Sequence, residues 1–97
     1  MTVIGTIHAY GEALSVVEHP LGQGRFAYAC YSQEGEPYGT LSKNVPGAPL
    51  AEGEVIVKTY SENEPFRQPL LDSGLFEDTG KRIPSGFIQL EVWRRKH

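Results

Sequence analysis

A chain of 97 residues with 39% apolar and 22% charged side chains and a net charge of −3 has enough hydrophobic content, and too little net charge, to be anything but a folded domain. Its apolar runs, such as Val55-Ile56-Val57, fall far short of the roughly 18 to 20 residues that cross a bilayer, and its first residues lack the pattern of a secretory signal. A cytoplasmic protein with no membrane partner is therefore expected, and its one cysteine, Cys30, sits at an alternating position with Phe26, Tyr28 and Ser32 where a small packing side chain belongs.

In chain order, short segments rich in β-branched and aromatic residues alternate with glycine, proline and acidic turns, the pattern of hairpins. Thr2 to Tyr10 and Ala13 to His19 read as a first hairpin turning at Gly11-Glu12. After a loop at Pro20-Leu21-Gly22-Gln23-Gly24, Arg25 to Ser32 pairs with Pro37 to Lys43 through Gln33-Glu34-Gly35-Glu36. Asn44 to Gly53 holds Pro46, Gly47, Pro49 and Gly53, too many breakers for a regular element. Glu54 to Thr59 is a fifth strand. Gly86 to Arg94 is a sixth, with Ile88, Leu90 and Val92 alternating toward the core.

Between these last two strands, Ser61-Glu62-Asn63-Glu64 has the spacing of a capping box, so a helix begins nearby. Leu70, Leu71 and Leu75 supply its apolar side and Gly74 its terminator. Pro69 would delete one backbone hydrogen bond inside it. The helix is then either kinked or starts as late as Pro69, where proline is favourable. With no repeat and no linker, the expectation is one α+β domain over residues 1–97: an antiparallel sheet of five or six strands with one short helix between the last two.

Three blocks carry a family resemblance: Glu36-Pro37-Tyr38-Gly39-Thr40-Leu41 with Asn44, then Val57 to Glu64, then Asp78-Thr79-Gly80-Lys81-Arg82 before Gly86-Phe87. From Arg25 onward the chain resembles a domain-of-unknown-function family of small bacterial proteins encoded on plasmids, phages and integrated mobile elements. The first 24 residues and the basic tail lie outside the resemblance. It implies a compact α+β fold and a mobile-element setting, and it brings no catalytic residues. Small proteins in that setting often disable host defence, such as CRISPR effectors or restriction enzymes, an inference from analogy rather than physics.

No catalytic constellation is legible. His8 and His19 lie on different strands, with His8 expected opposite Ser15, and His97 is terminal, so no metal site is expected. No serine, threonine or cysteine sits in a nucleophile signature. Gly22-Gln23-Gly24 and Thr79-Gly80-Lys81 read as tight turns rather than phosphate cradles. Neither an enzymatic activity nor a cofactor is expected.

Charge is unevenly spread. Residues 52–78 hold seven acids against Lys58 and Arg67, whereas residues 81–97 hold five bases against Glu91. The reading that follows is a non-enzymatic inhibitor of a bacterial defence complex, anti-CRISPR or anti-restriction, that binds protein through Glu62, Glu64, Glu77 and Asp78, with nucleic-acid mimicry as one route. Of the aromatics Tyr28, Tyr31, Tyr38, Phe87 and Trp93, some should be exposed. Trp93 beside Arg94, Arg95 and Lys96 would then form an alternative face for single-stranded nucleic acid. A third option is an oligomerisation or regulatory domain pairing through open sheet edges.

Overall fold

A computed structural model describes residues 2–96. Seven strands run as β1 Thr2–Ala9, β2 Glu12–Gly22, β3 Arg25–Tyr31, β4 Pro37–Thr40, β5 Glu54–Val57, β6 Phe76–Ser85 and β7 Ile88–Arg95, with one α-helix, α1 Glu64–Asp72, between β5 and β6. They form two antiparallel sheets, ordered β1-β2-β3-β4 and β5-β7-β6. The residues after β4 join them. Leu41 N–H donates to Tyr28 C=O at 2.8 Å, while Lys43 N–H reaches Ile56 C=O at 2.9 Å and Lys58 N–H reaches Leu41 C=O at 2.8 Å.

The first hairpin turns at Tyr10-Gly11, one residue earlier than expected. Both residues have positive φ, 53° and 73°, the primed turn whose twist matches the flanking strands. His8 consequently pairs with Ala13, and Ser15 with Thr6. Gln23-Gly24 repeats the device, with φ 55° and 73°, so most of the expected loop at residues 20–24 is strand. Pro20 is tolerated there opposite Phe26, a position that needs no N–H donor if the pair is not hydrogen-bonded. The hairpin through residues 33–36 forms, closed by Ser32 N–H to Glu36 C=O at 2.8 Å, but its second strand ends at Thr40 rather than Lys43, because the chain beyond Leu41 turns to β5, where Ser42 bridges Val57. The segment 44–53 is irregular, also as expected.

Strand β6 was not expected, and it moves the helix: α1 lies between the fifth and sixth of seven strands, not between the last two. Its sequence hides it. Phe76–Ser85 carries four charges, Gly80 and Pro84 with no apolar alternation, because β6 is an edge strand and its register slips between Asp78 and Arg82. Bulges and proline are tolerated at such an edge and blunt it against further pairing.

The capping box does not form. Ser61 opens a 3-10 turn, Ser61–Asn63, with φ 58°, and the helix N-cap falls at Asn63 with no side-chain cap. Asn63 is buried instead, its amide donating to Thr40 C=O at 2.7 Å. Pro65 occupies the first turn and Pro69 lies inside the helix, so the helix starts early and retains its internal proline. Gly74 follows the last turn with φ 78°, the terminator expected.

Helix α1 presses Phe66 and Leu70 against a core that holds Leu14, Val16, Tyr28, Cys30, Phe76 and Trp93. Cys30 is a packing residue there, its thiol pushed up to about 12 by desolvation. Leu90 and Val92 are buried and Ile88 half-buried, as the alternation predicts, but they face a second cluster with Ile56 beneath Val45, Ala48 and Leu50. Strand β7 is thus buried on both faces. Among the described residues, no helix is long and apolar enough to cross a membrane.

Candidate functional site

The four acids singled out in the sequence do not converge. Glu62 lies exposed in the 3-10 turn and Glu64 opens α1, whereas Glu77 and Asp78 are consecutive on β6 and so point to opposite faces. Glu62 is held below the usual carboxylate range by its own backbone N–H and then by the Ser61 hydroxyl. Glu77 pairs with Arg94 at 2.9 Å. Asp78 pairs with Arg82 at 2.9 Å and Arg67 at 3.6 Å, and the Arg82 guanidinium is the main cause of its lowered pKa. Two of the four are therefore neutralised within the chain.

The reason is topological. The basic strand β7 lies between β5 and β6, so Arg94 reaches Glu54 as well as Glu77. Three acids of the acidic segment, Glu54, Glu77 and Asp78, are thus paired with bases of the basic one.

The alternative face around Trp93 does not form at all. Trp93 is wholly buried, and its indole N–H donates to Glu91 at 3.1 Å, so no base can stack on it. Arg94 and Arg95 are engaged by acids, the latter by Glu18 at 3.5 Å. Lys96 is exposed. Of the five aromatics singled out in the sequence, Tyr38 and, at the β6–β7 turn, Phe87 are exposed, and Tyr31 is half-buried. His8 is exposed and His19 half-buried. Among the described residues no cluster of metal-ligating side chains occurs; His97 lies outside them.

The densest polar cluster surrounds Glu91. Its carboxylate accepts from Arg67 at 3.0 Å, Thr59 Oγ1 at 2.6 Å and the Trp93 indole. Burial by itself raises this carboxyl, but the three donors outweigh burial and hold it below the usual range. The cluster ties α1 to β7. Glu91→Gln should cost about 1 to 3 kcal/mol at neutral pH, the scale for losing hydrogen bonds to a charge. A depressed pKa gives stability that is complete above the ordinary glutamate value and lost as pH falls through the folded one. Denaturant titrations at neutral and acid pH should therefore show the variant losing less on acidification than the parent; equal losses would mean Glu91 does not contribute.

A different site emerges at the end of the molecule where the β2–β3 turn faces residues 44–53. Four depressions, the largest about 510 Å³, surround that turn as a groove, adjoining ones having Leu21, Gly24, Arg25, Phe26, Leu50 or Glu54 in common. The largest is lined by Glu18, Tyr28 and Arg95 together with Phe26, Val55 and Arg94. Tyr28 donates to Glu18 at 2.8 Å. Burial first, and then Glu18, push its pKa well up, so it stays a hydrogen-bond donor. Arg95 Nε is buried there, 3.5 Å from Glu18 and without a properly aligned hydrogen bond among the described residues.

The opposite wall is fastened. Glu54 accepts from Ala51 N–H at 2.8 Å and Lys81 at 2.7 Å, and Lys81 also donates to Pro49 C=O at 3.2 Å. These two bonds, the lysine's first, hold the Glu54 carboxyl below the usual range. Phe26 and Leu21 remain 41% and 52% exposed on the groove. Sequence reasoning passed over both. The signal was present, since Phe26 shares the face of Tyr28 and Cys30, but only the fold shows that the core ends before reaching it. An exposed aromatic and an exposed aliphatic side chain beside guanidinium groups suit recognition of another surface. No protein-family model, no curated protein and no solved structure matches this chain.

Proposed function

We propose that this chain is a non-enzymatic binding protein that docks on a protein partner through the groove around Phe26. The observation that carries this reading is the gathering of exposed Phe26 and Leu21 with four adjoining depressions at one end of the molecule. Interfaces draw most of their energy from a few aromatic and arginine anchors seated in pockets. The choice of partner rests on the resemblance of the Glu36–Leu41, Val57–Glu64 and Asp78–Arg82 blocks to proteins of bacterial mobile elements, whose carriers benefit from disabling a CRISPR or restriction complex. Docking is favoured over phosphate mimicry because Glu77 and Asp78 are already paired with arginines.

Co-purification with, and inhibition of, a panel of CRISPR and restriction complexes tests both parts. Phe26→Ala should weaken binding by about 2 kcal/mol or more, roughly 30-fold, with little change in melting temperature because the side chain is exposed. No inhibition anywhere in the panel removes the defence complex as target. Undiminished binding by Phe26→Ala removes the groove.

A further inference from the structure

We infer that the first half of β3 is an open sheet edge that pairs with an extended acidic segment of a protein partner, a proposal that rests on the binding reading above and specifies the partner's form. Strand β4 covers β3 only from Ala29 to Tyr31. The N–H and C=O of Tyr28 are still satisfied on that side, by Ser42 Oγ at 2.9 Å and Leu41 N–H at 2.8 Å. There the chain veers off toward β5, where Ser42 bridges Val57.

Strand alternation turns the N–H and C=O of Phe26 to the same side as those of Tyr28. That side faces away from β2, in keeping with Pro20, which has no N–H, opposite Phe26. Among the described residues, no loop backbone or side chain bonds to these two groups. They open on a depression of about 230 Å³ bordered by Ala27, Thr40, Lys43, Leu50 and Val55. Unpaired strand groups beside apolar recesses are what an added strand uses, backbone for affinity and recesses for alternate side chains.

Charge selects the occupant. Arg25 and Lys43 flank this edge with no carboxylate at ion-pairing distance among the described residues, whereas Glu54 across the gap is engaged by Lys81 and Arg94. Glu52 is the remaining acid on the neighbouring rim. The free charge next to Phe26 is positive, so acidic segments are steered to it.

The test uses the whole chain and a displayed library of random linear peptides of about a dozen residues. Enriched peptides should be acidic. They should slow hydrogen exchange at the Phe26 amide by about tenfold or more, and N-methylation at alternate peptide positions should weaken them about tenfold while the intervening positions tolerate it. Selection against the double variant Arg25→Glu, Lys43→Glu should shift the preference to basic peptides. No enrichment, an unchanged Phe26 amide, or an unchanged charge preference overturns the proposal. Protection that grows with protein concentration without peptide also overturns it, since the occupant is then a second copy. If Phe26→Ala abolishes partner binding while the bound complex leaves the Phe26 amide unprotected, groove docking stands and edge pairing falls.

Discussion

Trp93→Ala should destabilise the chain by about 3 to 5 kcal/mol, the range for emptying a large aromatic from a core. Trp93 has no exposed surface, lies 6.1 Å from Phe76 between ring centroids, and its indole N–H completes the Glu91 cluster. Truncation therefore opens a cavity and removes one of the donors that keep Glu91 ionised. A domain of this size gains roughly 4 to 8 °C of melting temperature per kcal/mol, so the transition should fall by at least about 12 °C. Thermal unfolding followed by circular dichroism measures it. A drop of only a few degrees would show that Trp93 is not the packing centre between the two sheets.

Leu90→Ala should cost about 2 to 5 kcal/mol, and with a separate local consequence. Leu90 faces the second cluster, with Ile56 and Val92 under Val45, Ala48 and Leu50, so its loss loosens the segment that walls the Phe26 groove. Amide exchange in residues 44–50 should quicken more than in β1 to β3. Ile88→Ala should cost less, because Ile88 is only half-buried. An unchanged melting temperature for Leu90→Ala would mean this second layer is not a core.

How far the sequence could be read is clearest strand by strand. Where one face is buried and the other wet, as along Thr6, Ile7, His8 and Ala9, alternation betrays the strand. The turns after β1 and β2 were legible only approximately, because Gly11 and Gly24 mark them while Tyr10 and Gln23, which share the positive φ, are not residue types that favour it. By contrast, β6 shows neither sign. At a bulged edge its residues answer to ion pairs with Arg67, Arg82 and Arg94 rather than to a packed face, and those partners come from other elements.

The same distinction governs the candidate site. Sequence by itself determined a mainly antiparallel β protein with one short helix, the packing role of Cys30 and the core face of Leu90 and Val92, because each depends on neighbours two to four positions away or on residue chemistry alone. The burial of Trp93, the cancellation of Glu77 and Asp78, and the groove around Phe26 were decided only by tertiary structure. They follow from β7 lying between β5 and β6 and from β3 outrunning β4, pairings across tens of residues that no local pattern encodes.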